Sequence, residues 1–215
     1  MRTIAILPVK SFGSAKQRLS SALDPEVRGS LAQAMLGDVL DALSRVEEID
    51  ELVVVSADPA ARELGIRVVH DSQEESQSAA AALALELASA ENFDRALLVP
   101  GDTPLLDPAE VDALLERSER DGAAVTIVPD RHGSGTNALV LCPPDAIEPG
   151  FGPGSRARHA DRARDLTCRI DAVPSLALDL DTPEDLEVLD HALGAHAALA
   201  PRTREALAQA SRVGA

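Results

Sequence analysis

Short apolar runs alternate with longer stretches of helical periodicity along almost the whole of this chain, and that alternation leaves few folds open. Residues 3–7, 52–55, 66–69, 96–99, 125–128 and 138–141 read as strands. Asp24-Pro25 opens a helix whose stripe Leu31, Met35, Val39, Leu43 and Val46 keeps helical spacing. Residues 79–90 are rich in Ala and Leu, and Asp107-Pro108 starts a helix with Val111, Leu114 and Leu115 facing inward. A loop over residues 143–154 leads to a helix from Ser155. Residues 176–178 read as a last strand, and Thr182-Pro183 caps a helix to about residue 193. The pattern predicts an α/β fold, a mostly parallel sheet with helices on both faces. One domain is expected over residues 1–195, followed by a tail over 196–215 whose short helix from Pro201 is loosely attached.

The core of such a fold has to be aliphatic here. Hydrophobic residues make up 45% of the 215, but the aromatics are only Phe12, Phe93 and Phe151, with no Tyr or Trp. Phe12 and Phe151 fall in expected loops rather than in the core, so stacking platforms for single-stranded nucleic acid are missing. A net charge of -16 argues against binding to nucleic acid or to an anionic membrane. Cys142 and Cys168 are isolated thiols without metal-ligand spacing and are expected to be free. The first ten residues, interrupted by Pro8 and Lys10, do not read as a signal peptide, and no apolar run is long enough to span a bilayer. A soluble, cytoplasmic protein is expected.

In open parallel sheets, ligands bind beyond the carboxyl ends of the strands. After the first strand come Pro8, Lys10, Ser11, Gly13, Ser14, Lys16 and Arg18. Lys10 and Lys16 are the only lysines in a chain that otherwise uses arginine, so this loop has kept compact, strongly hydrated point charges. Asp102 follows the strand at 96–99, and Asp179 and Asp181 follow the segment at 176–178. Cations on one side of a cleft and carboxylates on the other suit polyphosphate chemistry, with the carboxylates holding Mg²⁺. Taken alone, Asp102 reads equally as a turn closer and Asp181 as a charge at a helix start. Asp179 and Asp181 share one side of an extended segment, where like charges repel unless a cation lies between them.

Two further loops are rich in glycine. Residues 130–137 read as a hairpin turn or as a close approach to a ligand, and His132 there is placed to touch substrate. Phe151-Gly152-Pro153-Gly154-Ser155 opens a helix, whose N-terminus suits phosphate or carboxylate capture. The arginines that follow, Arg156, Arg158, Arg162 and Arg164, read as a largely solvated face. His70, His159, His191 and His196 show no metal or triad spacing, and there is neither a Gly-x-Ser-x-Gly elbow nor a full Walker A motif.

Six segments occur in order: Leu7-Pro8-Val9-Lys10, Ala15-Lys16-Gln17-Arg18-Leu19, Pro100-Gly101-Asp102-Thr103-Pro104, Gly135-Thr136-Asn137-Ala138-Leu139, Phe151-Gly152-Pro153-Gly154-Ser155 and Asp179-Leu180-Asp181-Thr182-Pro183-Glu184-Asp185-Leu186. With them the chain, over residues 1 to about 193, resembles the 2-phospho-L-lactate or phosphoenolpyruvate guanylyltransferases of deazaflavin coenzyme F-420 biosynthesis. The resemblance implies a Rossmann-like, GT-A-type nucleotidyltransferase fold. It implies GMP transfer from GTP to a small phosphorylated acid, with release of pyrophosphate. It makes Asp102, Asp179 and Asp181 the Mg²⁺ ligands and Thr136, Gly152 and Ser155 the contacts to the acid. Pro8, Lys10, Lys16, Arg18 and Ser78 would hold the nucleotide, with Lys10, Lys16 and Asp102 catalytic. The sequence departs from the family at Ser76-Gln77-Ser78-Ala79-Ala80, where the family often has a Gly-Leu-Asn-Ala-Ala-like run. Ser78 takes the place of that Asn, with Gln77 as a substitute.

In the expected reaction, a phosphate oxygen of the acid attacks the α-phosphorus of GTP in line. That oxygen is already anionic, so no strong base is required, and catalysis is positioning plus charge neutralisation. Phosphoenolpyruvate, 2-phospho-L-lactate and 3-phosphoglycerate all fit this description, with phosphoenolpyruvate favoured by analogy. The next enzyme of the deazaflavin pathway is an expected partner. The alternatives are another nucleotidyltransferase, such as a molybdopterin guanylyltransferase or a cytidylyltransferase, or a non-catalytic nucleotide-binding protein.

Overall fold

The computed structural model describes residues 1–14, 16–195 and 198–213, so Ala15 and His196 lie outside the described residues. Seven strands form one sheet: β1 (Thr3–Pro8), β2 (Glu51–Ser56), β3 (Arg67–His70), β4 (Arg95–Leu98), β5 (Val125–Pro129), β6 (Thr136–Leu141) and β7 (Cys168–Ile170). Their order is β3-β2-β1-β4-β6-β5-β7. β6 alone runs antiparallel to its neighbours, so the sheet is mostly parallel, as expected. The helices are α1 (Pro25–Leu43), α2 (Gln77–Ala90), α3 (Pro108–Arg120), α4 (Ser155–Arg162), α5 (Pro183–Ala195) and α6 (Pro201–Val213).

β1 shows why both faces are covered. Successive side chains on a strand point to opposite faces, and every residue of β1 is buried. Ala5 and Leu7 pack with Leu36, Val39 and Leu43 of α1 and with Val111 and Leu114 of α3. Ile4 and Ile6 pack on the other face with Ala81, Ala84 and Leu85 of α2. The alanines of α2 share this face with the buried ring of Phe93. Phe12, expected in a loop outside the core, is buried in the first of these clusters and fills space beside α1.

Two strand assignments change. Residues 176–178 are not a strand: Pro174–Leu176 is a 3₁₀ turn, and the chain beyond it runs outside the sheet. Its backbone is held by single bonds, Arg131 N–H to Ala177 O and Leu180 N–H to Asp102 O. Leu178 and Leu180 are buried instead against Leu19, Leu31, Met35, Leu189 and Leu193. Alternating burial produced the strand-like pattern without any ladder. The seventh strand is β7, parallel to β5, a three-residue edge too short and too exposed to show a periodicity.

The tail is not loosely attached. Asp38 of α1 accepts hydrogen bonds from Arg202 N, Thr203 N and Thr203 Oγ1 at 3.1, 2.8 and 2.7 Å, and Thr203 is fully buried. A Cβ at Gly37 would stand 2.8 Å from Arg202 Cδ, so a larger residue there would have to displace that exposed side chain. Among the described residues, no helix is long and apolar enough to cross a membrane. Asp38→Ala strands buried donors and is expected to cost about 3 kcal/mol. The urea-unfolding midpoint checks this, and a shift no larger than that of a surface substitution would mean that α6 adds nothing to the fold.

Candidate functional site

The carboxyl ends of β1 and β4, together with the loops that follow β5 and precede α4, enclose a cleft of about 570 Å³. It is lined by Pro8, Lys10, Lys16 and Arg18, by Asp102, Asp179 and Asp181, and by Thr136, Gly152 and Ser155. Of the site residues that the family resemblance implies, all but Ser78 are therefore in one place. Ser78 does not line the cleft. Its Oγ accepts the Phe151 N–H at 2.8 Å, so it braces the glycine-rich loop, while Gln77 beside it faces the cavity. His132 is exposed and is not part of the lining.

The carboxylate wall is assembled from distant segments. Leu178 and Leu180 turn into the core, which sends Asp179 and Asp181 to the cleft. Asn137 Nδ2 holds Asp179 Oδ1 at 3.1 Å and also donates to Leu176 O and Ala177 O. At the start of α5, Asp185 Oδ2 accepts from Asp181 N, Thr182 N and Thr182 Oγ1, which fixes the far end of the segment. Burial, then the charge of Asp102, pushes the Asp179 carboxyl up to about 6, against the opposing Asn137 hydrogen bond. Asp102 Oδ1 is buried with no hydrogen-bond partner.

Lys16 lies inside this cluster rather than opposite it. Its backbone is left-handed (φ 55°), and its Nζ contacts Asp102 Oδ2 and lies 3.2 Å from Asp181 Oδ1. Burial lowers the Lys16 pKa, but the charges of Asp102 and Asp181 outweigh that and raise it, so the ammonium stays charged. Arg18 approaches Asp181 from the solvent side at 3.6 Å. Lys10 is exposed at the rim. Its loop is tied down by Glu74, whose Oε1 accepts from Ser11 N and Oγ at 2.7 Å each.

The opposite wall is the turn before α4. Gly152 and Gly154 have φ of 100° and 72°, a conformation that selects glycine. The first two amides of α4 are already bonded, Ser155 N to Gly152 O and Arg156 N to Ser134 O. The helix end is thus less open to an anion than expected, while Thr136, Gly152 and Ser155 line the cleft beside it. The arginines are mostly exposed, as expected, but two of them also hold backbone. Arg158 donates to Gly150 O and Pro153 O, and Arg162 donates to Glu148 O, so both clamp the loop; only Arg164 pairs with Asp161 and Asp165. His159 is fully buried between Thr136 Oγ1 and Gly150 N, and burial followed by the charges of Arg162 and Arg158 lowers its pKa to about 4. Asn137, Glu74 and His159 receive no role from sequence alone, because each acts on a neighbour and its own position in the sequence does not show which.

Residues 3–200 match the family model described as guanylyl transferase CofC like. The chain belongs to this family. It is 44% identical to the phosphoenolpyruvate guanylyltransferase of Conexibacter woesei, over 99% of this chain and 98% of that relative. It is 39% identical to the 2-phospho-L-lactate guanylyltransferase of Methanothermobacter thermautotrophicus, over 92% of this chain and 88% of that relative. A solved nucleotidyl transferase from the same archaeon superposes with a TM-score of 0.64 at 19% identity, covering 91% of this chain and 99% of that one, which establishes the nucleotidyltransferase fold. The family's chemistry is guanylyl transfer, and the alternative of a non-catalytic binding protein is set aside.

The His159 shift has a consequence for stability. Its folded pKa of about 4 lies below the ordinary value of 6.5, so its contribution is fully present above pH 6.5 and is lost as pH falls toward 4. Between pH 7 and 4.5 the wild type is expected to lose about 2.5 kcal/mol that His159→Asn does not lose. Urea unfolding at the two pH values measures the difference, and parallel losses would show that the ring is not held neutral.

Proposed function

We propose that this protein transfers the guanylyl group of GTP to phosphoenolpyruvate and releases pyrophosphate, as a step of deazaflavin coenzyme F-420 synthesis in the cytoplasm. The observation that carries the reading is one cleft with a carboxylate wall, Asp102, Asp179 and Asp181, facing the Thr136, Gly152 and Ser155 wall. The names of the relatives supply the acid.

The residues suit Mg²⁺. The donors are hard oxygens, Asp102 Oδ1 is buried without a partner, and the cluster already draws in an ammonium. Among the described residues, no three acidic, histidine or cysteine side chains form a ready cage. Mg²⁺ commonly keeps several waters and leans on substrate phosphates. Asp102, Asp179 and Asp181 would hold it, and when bound it would neutralise phosphate charge. Lys10, Lys16 and Arg18 supply fixed positive charge for the triphosphate, and Gln77, with Pro8, lies where the nucleoside would enter. Thr136, Gly152 and Ser155 orient the acid so that its phosphate oxygen faces the α-phosphorus, with pyrophosphate leaving on the far side. Positioning and neutralisation carry the rate, because the attacking oxygen is already anionic. The guanylylated acid passes to the next enzyme of the pathway.

The test is Mg²⁺-dependent pyrophosphate release from GTP with phosphoenolpyruvate, 2-phospho-L-lactate and 3-phosphoglycerate offered separately, and with ATP and CTP in place of GTP. Release with GTP and phosphoenolpyruvate is expected, and release only with another acid or nucleotide overturns the assignment. Asp102→Asn is expected to lower kcat by about 100-fold or more in a folded protein. Lys16→Arg is expected to cost about tenfold, because a planar fork does not replace a point charge among these carboxylates. Unchanged kinetics in either variant would remove that residue from the chemistry.

A further inference from the structure

Behind the acid-facing wall, one imidazole sets the direction of a hydroxyl. His159 is fully buried on α4, with its ring edge-on to Phe151 at 5.3 Å between centroids. Its Nε2 lies 2.8 Å from Gly150 N. A backbone amide can only donate, so Nε2 is the acceptor and carries no proton. In the neutral ring the proton is then on Nδ1, 3.0 Å from Thr136 Oγ1. Nδ1–H donates to that oxygen, and the hydrogen of the Thr136 hydroxyl is left to point elsewhere. Thr136 lines the cleft.

We propose that His159 is a positioning residue that locks Thr136 as a hydrogen-bond donor toward the anionic group of the acceptor acid. Phosphates and carboxylates offer acceptors only, so a hydroxyl free to turn would present a lone pair to them part of the time. With one of its two lone pairs engaged by Nδ1–H, the Thr136 hydroxyl cannot donate its hydrogen to the ring and keeps it for the anion. The same ring holds Gly150 and therefore sets the height of Gly152, two residues on, so the hydroxyl and the glycine turn are aligned by one group. The inference rests on the reading of this wall as the acid site.

Two measurements on the full chain test it. With ¹⁵N-histidine labelling, the long-range ¹H–¹⁵N spectrum is expected to show His159 as the Nδ1–H tautomer, and an Nε2–H ring overturns the proposal. In kinetics, His159→Gln places an amide near the Nε2 position, keeps a partner for Gly150 and removes the donor to Thr136. His159→Asn keeps a donor near Nδ1. His159→Gln is expected to raise the KM for phosphoenolpyruvate about tenfold or more while the KM for GTP stays within about twofold, with His159→Asn recovering most of the loss. Equal rises in both KM values, or no recovery with Asn, would reduce His159 to a packing role. Thr136→Val separates the two levels of the argument. If it leaves the KM for phosphoenolpyruvate unchanged, the acid does not bind this wall and the proposal falls with that reading. If it raises that KM while His159→Gln does not, the wall stands and the positioning role alone is lost.

Discussion

Three carboxylates brought to one side of a cleft repel one another, and the surrounding structure is arranged to hold them there. Asp102 sits at the end of a buried strand, while Asp179 and Asp181 lie on a segment that has left the sheet. Nothing in a β-ladder keeps that segment in place. It is held by Leu178 and Leu180 in the core, by the Asn137 amide and by the Asp185 cap. The Lys16 ammonium offsets part of the repulsion. Burial first, and then the charge of Asp102, raises the Asp179 pKa, and one Asp102 oxygen is left without a hydrogen-bond partner. A site under this electrostatic load draws in cations, as the buried Lys16 ammonium shows.

The opposite wall is built on a different principle. It has little charge of its own facing the cleft, and its shape comes from positive-φ glycines clamped from behind by Arg158, Arg162, Ser78 and His159. The arginines spend their donors on carbonyl oxygens, which keeps the loop from collapsing into the cavity. One wall therefore supplies field and the other supplies form. Transfer between two anionic substrates needs both, because neutralisation without alignment would bind the acid in many orientations.

The sequence carried most of the fold and the position of the cleft. Alternating strands and helices are sufficient for a mostly parallel sheet, and residues just beyond strand ends converge by topology. It failed where burial and hydrogen bonding separate. Leu176, Leu178 and Leu180 alternate like a strand because one side is buried, yet no ladder forms along them. β7 is invisible for the opposite reason, since it pairs without alternation. Ser78, Arg158 and Arg162 look like binding or solvated residues because sequence shows a side chain's chemistry and not the carbonyl or amide it meets. His159 is the sharpest case: an isolated histidine carries no motif, and only its two nitrogen partners reveal a task.

The docking of α6 on α1 also bears on how the chain comes together during synthesis. The cluster behind Asp179 and Asp181 contains Leu31 and Met35 from α1, Leu189 and Leu193 from α5, and Ala200 at the entry to α6. β1 and the Lys16 loop leave the ribosome early, but the backing for the carboxylate wall arrives nearly two hundred residues later. A nascent chain carries its central strands long before it carries a cleft, and one that stops short of α5 lacks both the cap and part of the apolar backing of the carboxylate wall.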